Sequence, residues 1–512
     1  MKLIRFIVIF LFCLLPALAL AGTTYYVDAT NGSDSNSGKS MNKAWKTITR
    51  VNNHSFATGD DVYFKCGETW SGKQLTIDWS GSVYDRAIIG AYYNDGGTPV
   101  YSVSGARPII DGNNWTVPGS EGGLIKCLKN TGGYITIKDL YVKHSKYYGI
   151  IIKLCGPGNL VENCYVYRSK RQGILLLQTS DSTVTKCTVE ESSYLTKPGG
   201  GIVVSAQKNL GSTDNNTVSY NTVFHCYEGI NAVTDKARYT ITEYNVMYDN
   251  RSYNLYLQGG RESISRFNLI YSTKDVGNWG GAEKGITIDN ERYGKFCYTG
   301  GHKVYGNIIA GASNGIAVLN QYQRFDDGTC TQDDNLFYNN TIIDSVSHNI
   351  RVQNGPDMGG GTQSAWSGNE FKNNISVTVT GKSNHVSGNG TTGVSWSHNL
   401  YDDNNPGGNA GTNAVIGDPK LLKTSGWRSI PPGTAVGTEW SIQPGSVAED
   451  RGASIIGYME RINDCDFTAD RIMVKKVTDV TPDIGAWMTI VIEKPGPIFP
   501  SPPKSFKVVK VE

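Results

Sequence analysis

Charge is scarce in this sequence. Asp, Glu, Lys and Arg make up 18% of it, and 48 basic residues nearly cancel 46 acidic ones. That balance removes the electrostatic reason to expect nucleic acid or an anionic membrane surface as a partner. Long apolar runs are as rare: after residue 21 no segment approaches the roughly 20 apolar residues that a membrane-spanning helix needs. The exception is the start, where Lys2 and Arg5 precede an apolar run from Phe6 to Leu20 that closes on Ala19-Leu20-Ala21. This is the pattern of a secretory signal peptide, with cleavage expected after Ala21. Cys13 lies inside the run behind the bulky Phe12, which argues against a lipoprotein cysteine. The mature chain is expected to be soluble and secreted, to the extracellular space or the periplasm.

What is plentiful is Gly (60) and Tyr (29), with many Asn and Ser, a composition of short strands joined by tight turns. One pattern (apolar, two variable, Asn, one variable, apolar) recurs as "VSYNTV", "ITEYNV", "ISRFNL", "VYGNII", "FYNNTI", "FKNNIS" and "WSHNLY". The aligned asparagines are Asn221, Asn245, Asn268, Asn307, Asn340, Asn374 and Asn399, and upstream Leu140, Cys164 and Cys187 take the same slot. Successive spacings of 24, 23, 34, 24, 23, 39, 33, 34 and 25 residues give a base period of 23 to 24 with insertions. Most slots are followed by a Gly or Asn and an alternating stretch, such as "GIIIK", "GILLLQ", "NLYLQ", "GITID" and "NIRVQ". Strands this short cannot close a core alone and must stack on neighbouring repeats. At about 4.8 Å per rung, ten rungs make a rod on the order of 48 Å long. An Asn buried at each bend would bond its own turn and the Asn of the next rung, forming a ladder.

With these repeats, the segments "YYVDATNGSDSNSG", "AWKTITRVN", "GDDVYFKCGETWSGKQL" and "ARPIIDGNNW" at the start, and "GDPKLL", "WSIQPGSVAEDRG" and "PDIGAWM" at the end, resemble the secreted right-handed parallel β-helix proteins of the pectate-lyase-like superfamily. The fold this implies is all-β: a right-handed single-stranded parallel β-helix, a solenoid of about ten or more rungs with an N-terminal helical cap and a C-terminal cap. The expected organisation is a signal peptide (1–21), N-terminal cap and first rungs (22–115), β-helix repeats with groove loops (116–405), C-terminal rungs and cap (406–492) and a Pro-rich tail (493–512). "AWKTITRVNN" as a short helix would cover one tip of the rod and block edge-to-edge pairing. Asp28, Asn31, Asp34 and Asn36 have the oxygen donors of a calcium loop but lack the terminal glutamate of an EF-hand, and they are also ordinary turn residues.

By the resemblance, the alternating stretch is the strand that lines a substrate groove. In "GITID", Ile286 and Ile288 then point into the core while Thr287 and Asp289 face solvent. The same count puts Lys153, Leu177, Ser205, Gln258, Asp289, Leu319 and Gln353 in one outward column. It puts Ile151, Leu175, Val203, Asn231, Tyr256, Thr287, Ala317 and Arg351 in the other. Insertions gather around the Asp289 rung: 17 residues from Asn268 to Gly285, and beyond the groove strands "ERYGKFCYTGGH", "QYQRFDDGTCTQDD" and "GPDMGGGTQSAWSG". Long loops on a rigid scaffold commonly carry function. Cys297 and Cys330 both lie ten residues before a ladder Asn, so stacking brings them within disulfide range, and export favours the bond. Cys164 and Cys187 point inward and act as small apolar fillers.

Charged and aromatic residues at these insertions suit an extracellular polysaccharide, since a ring face stacks on a sugar while charges read carboxylates and hydroxyls. The candidate catalytic residues are Asp289, Lys284, Arg292 and Arg324. Trp279, Gln258, Tyr256, Tyr322, Arg351 and Glu291 are the candidate substrate contacts, and Asp326 and Asp327 the candidate metal ligands. Calcium is the cofactor these carboxylates point to, and the chain is expected to act as a monomer. Cutting a uronate chain by elimination needs its carboxylate neutralised and a base beside the adjacent carbon. The resemblance implies calcium, Lys or Arg for the first role and Lys or Arg for the second. β-Elimination on an acidic glycan is the favoured reaction. A glycoside hydrolase, with paired carboxyl groups, and a non-catalytic or adhesive glycan-binding β-helix are the alternatives. The paired-aspartate and Gly-His-Gly motifs of polygalacturonases are absent.

Overall fold

A computed structural model describes residues 22–451 except 119–121, 128–131, 194–198, 208–210, 235, 274–282, 291–297, 321–330, 355–365, 379–383, 388–392, 404–405, 408–409, 422–441, 444–445 and 449–450. The repeats fold into three sheets of 14, 13 and 11 strands that run the length of a rod. Each turn of chain gives one strand to each sheet; the rung of Asp289 supplies Ile264–Arg266 to the first, Leu269–Tyr271 to the second and Lys284–Asp289 to the third. Neighbouring rungs pair in parallel, and one antiparallel ribbon, Ala87–Asp95 with Thr98–Val100, departs from this near the N-terminus. Within each strand alternate residues turn inward. Val218, Ile270, Ile286, Ile288, Ile316 and Val318 belong to one continuous apolar core.

The bend between the first and second sheets explains the asparagine period. Each bend holds one residue in the left-handed region, Lys186, Tyr220, Tyr244, Phe267, Gly306, Asn339, Asn373 or His398, immediately before the recurring slot. All but one have a side chain, which disfavours that backbone conformation. The slot residue supplies the compensation. Asn307 donates through Nδ2 to the Ser265 carbonyl (2.9 Å) and to Asn340 Oδ1 (3.0 Å). Its own Oδ1 accepts from the backbone N–H and Nδ2 of Asn268, both at 3.0 Å. The same bonds run from Asn221 through Asn245, Asn268, Asn307, Asn340 and Asn374 to Asn399. Cys187 begins the ladder, its N–H donating to Asn221 Oδ1. Asn307→Ala is expected to cost about 2–4 kcal/mol, because it strands two donors of Asn268 and the Ser265 carbonyl in a dry interior; urea unfolding with an unchanged slope checks it.

The N-terminal tip is closed by a helix at Ile48–Asn52, where Ile48 and Val51 are buried and Thr47 caps the first turn by accepting from the Arg50 N–H. Beneath it the Tyr25 and Trp45 rings stack at 4.7 Å. The carboxylates of the calcium-like loop are engaged here. Asp28 accepts from the N–H groups of Thr30 and Asn31 and pairs with Lys65 at 2.7 Å, and Asp34 accepts from Lys46, Thr47 and the Thr47 hydroxyl. These are the bonds of turn residues.

Cys127 and Cys155 form a disulfide that the repeat register does not reveal. Cys127 ends a strand of the third sheet opposite Ile152, and Cys155 lies three residues beyond that partner, so neither occupies the ladder slot. A disulfide is at home in an exported protein. Cys164, Cys187 and Cys226 are buried thiols, and Cys297 and Cys330 lie outside the described residues.

Candidate active site

The third sheet carries the candidate site on its outer face, and strand register sets what lies beside what. One outward column runs Ile151, Leu175, Val203, Asn231, Tyr256, Thr287, Ala317, Arg351. A second runs Lys153, Leu177, Ser205, Val233, Gln258, Asp289, Leu319, Gln353. The alternation in the sequence places both columns correctly, and Val233 completes the second. At the start of the strands a further column, Gly200, Glu228, Tyr253, Lys284, Asn314 and His348, escapes that count, because the strands begin one residue before the recurring Gly or Asn that marks them in the sequence.

Chemistry changes along this face. At one end Ile151, Leu175, Leu177 and Val203 form a separate apolar cluster. From Glu228 onward the columns turn polar. Glu228 accepts from Asn231 Nδ2 at 2.6 Å. On the next strand the Tyr253 and Tyr256 rings stack face to face at 4.2 Å. Lys284 comes next, its ammonium 4.4 Å from the Tyr253 ring centre and 3.3 Å from the Tyr253 hydroxyl. Farther along, Arg351 donates to Gln353. His348 in the Lys284 column is held neutral, its pKa lowered by burial and then by the Arg351 charge.

Behind Lys284 lies a buried polar network. Glu283 accepts from the Ser272 hydroxyl at 2.5 Å and from Asn254 Nδ2 at 2.7 Å, and Asn254 in turn accepts from Asn250 Nδ2. Asp249 accepts from the Thr273 N–H and hydroxyl, both at 2.7 Å. Burial, followed by the Asp249 charge, pushes the Glu283 carboxyl up to about 8. Asn254 stands where most rungs have glycine. At Gly285 on the next strand a Cβ would lie 2.3 Å from the Gly315 carbonyl oxygen, so that corner admits either no side chain or one that bonds.

The expectation that Thr287 and Asp289 face solvent needs correction: both are on the outer face, yet both are 0% exposed. Alternation fixes which side of a sheet a residue takes, not whether water reaches it. These two sit in mid-sheet, Thr287 between Tyr256 and Ala317 and Asp289 between Gln258 and Leu319, and both ends of the strand lead into long connections. Tyr256 is likewise buried, whereas Lys284, Gln258, Arg351 and Gln353 are half-buried. Trp279, Glu291, Arg292, Tyr322, Arg324, Asp326 and Asp327 lie outside the described residues. His302, away from the groove, is a buried spacer of the first sheet. Its Nδ1 accepts from the Ser263 N–H, its Nε2 meets the Thr299 hydroxyl at 2.9 Å, and burial takes its pKa down to about 4.

The family model for a right handed beta helix region matches residues 62–246 and 127–326, together more than half of the chain. The chain belongs to the right-handed β-helix family. Two β-helix structures share its fold at a TM-score of 0.50. A GH136 lacto-N-biosidase from Eubacterium ramulus is 13% identical, covering 74% of this chain and 67% of that one. A pectate lyase, Pel9A, is 14% identical, covering 91% and 96%. By sequence, 99 residues are 35% identical to a lacto-N-biosidase of Bifidobacterium longum subsp. longum, a stretch that is 19% of this β-helix chain and 6% of that protein. Among the described residues no helix is long and apolar enough to cross a membrane.

Proposed function

We propose that this β-helix protein is a secreted carbohydrate-active enzyme that binds an extracellular polysaccharide across the polar half of the third sheet and cleaves it there by β-elimination beside a uronate carboxylate. The observation that carries this reading is Lys284, a half-buried cation laid on the stacked Tyr253–Tyr256 pair and one strand removed from it. After its ammonium gives a proton to solvent, the Lys284 amine takes the proton from the carbon next to the sugar carboxylate. The electron pair left behind forms the carbon–carbon double bond, and the glycosidic oxygen departs, taking a proton from water to become the new hydroxyl. Arg351 lies two strands farther along the face and three residues along its strand, roughly 14 Å away, where it meets a carboxylate on a neighbouring sugar. Tyr253 and Tyr256 are themselves buried and serve to hold the Lys284 ammonium in place under the groove. Calcium takes six to eight oxygens; among the described residues Asp289 is the sole carboxylate of its strand, so these residues alone do not form that cage.

A second reading, hydrolysis of a neutral glycan, draws on the 99-residue match to a lacto-N-biosidase. It needs two carboxyl groups roughly 5–9.5 Å apart across the bond. Ultraviolet absorbance of unsaturated products on a panel of polyuronates, with and without calcium, tests the first reading. New reducing ends on neutral oligosaccharides without that absorbance would favour the second, and neither signal, with glycan still retained on a column, would leave a binding module.

A further inference from the structure

Away from the groove strands, at the C-terminal end of the third sheet, the ring of His385 is buried to 1% and its Nε2 points at two successive carboxylates. It lies 3.3 Å from Asp402 Oδ1 and 3.2 Å from Asp403 Oδ1, and the three ligand atoms lie within 4.8 Å of one another. In a tetrahedral site with bonds of 2.0–2.1 Å to nitrogen and oxygen, neighbouring ligand atoms are about 3.3 Å apart. Both edges that involve the imidazole have that length.

The surroundings hold the donors as a metal site holds them. The other ring nitrogen, Nδ1, is 2.7 Å from the Ser376 hydroxyl, which itself accepts from Asn349 Nδ2 at 2.9 Å. An Nδ1–H that donates to the Ser376 hydroxyl fixes the ring's orientation and leaves the Nε2 lone pair on the side of the carboxylates, where an ion would sit. Asp402 Oδ1 also accepts from the Thr378 N–H (3.0 Å) and hydroxyl (3.3 Å), and Asp403 Oδ2 lies 3.4 Å from the same hydroxyl. Asp403 remains half exposed, so an ion has a route from solvent and room for water as a fourth ligand. One imidazole and two carboxylates suit a first-row divalent ion such as zinc; calcium and magnesium prefer oxygen alone.

We infer that His385, Asp402 and Asp403 form a binding site for a divalent transition-metal ion that clamps two sheets together near the C-terminal end of the described rod. His385 belongs to Asn384–Ser387, the terminal strand of the third sheet, and the aspartates follow Leu400–Tyr401 of the second. On binding, the ion replaces the proton that Nε2 shares with the carboxylates, and that proton passes to solvent. Among the described residues Asn384–Ser387 has a strand neighbour on one side only, with a single bridge from Val386 to Gly407 on the other, so a bond between two sheets here acts where strand pairing is thin. This inference does not depend on the groove chemistry.

The test is calorimetric titration of the chelator-treated full chain with zinc chloride, in parallel with thermal unfolding. One ion per chain and a melting temperature that rises with zinc concentration are expected. Asp403→Asn, at a half-exposed position where folding is retained, should weaken binding at least the 10- to 100-fold that loss of a supporting group costs, and His385→Gln should abolish it. Glu191→Gln alters the other close grouping of potential ligands, Glu190, Glu191 and His225, and should leave zinc affinity unchanged. No heat of binding, an affinity untouched by Asp403→Asn, or an affinity lost in Glu191→Gln would each overturn the assignment.

Discussion

Lys284→Met is expected to lower turnover of the cleaved glycan roughly 100- to 10,000-fold, the usual contribution of a positioned proton acceptor. Methionine keeps an unbranched side chain of similar reach without the ammonium that lies over the Tyr253 ring. Lys284 is half-buried and its backbone N–H still donates to the Ser252 carbonyl, so the melting temperature should move little. A kinetic split separates the roles. Loss in kcat with KM held means that Lys284 acts on the reacting carbon, and loss in KM with kcat held means that it only binds the sugar. The second pattern would remove Lys284 as the base.

Glu283→Gln should stabilise the protein at neutral and mildly alkaline pH by an amount on the order of 3–5 kcal/mol. The wild-type carboxyl titrates near 8 in the folded chain, against an ordinary value of 4.5. Between those two values the folded state holds a proton that the unfolded state has released. Wild-type stability therefore falls as pH rises from about 4.5 to about 8 and levels off above that. Glutamine carries no such proton, and its amide can still accept from Asn254 and bond the Ser272 hydroxyl. Chemical denaturation at several pH values should give a flatter profile for the variant, crossing the wild type near the acid end. Parallel profiles would mean that Glu283 is not the protonated group. Because Glu283 directly precedes Lys284, both variants can be compared for alkaline loss of activity.

The architecture was legible because period and alternation are properties of the backbone. A single left-handed residue followed by Asn, repeated from Tyr220–Asn221 to His398–Asn399, sets the rung length. "GITID" alone decides that Ile286 turns inward and Thr287 outward. The site was legible only as far as register reaches. Tyr256, Gln258, Asp289 and Arg351 fell where counting put them, but the Tyr253 and Glu228 column begins one residue earlier than the repeat motif marks. The burial of Asp289 depends on what lies over the sheet, which no count within one rung contains. Cys127 and Cys155 pair across a strand end and a turn, so their approach is set by loop geometry and not by the period. Glu283 carries the letter of an ordinary surface charge; its neutral state comes from burial and then from the Asp249 charge, contributed by other parts of the coil, and outweighs the opposite pull of the Ser272 and Asn254 bonds.

The two-residue corner between the first and second sheets also bears on how such a chain can diversify. From Lys186–Cys187 to His398–Asn399 that corner keeps the same length in every rung, because an added residue would break bonds to the rungs above and below together. Among the described residues the corners flanking the third sheet carry no such ladder of linked amides along their whole length, and there the spacing varies by more than a dozen residues. One edge of the coil is thus a spine closed to insertion and the other two are open to it, so the binding loops of a relative could be grafted at the ends of the Lys284–Asp289 strand while the spine keeps the rod in register.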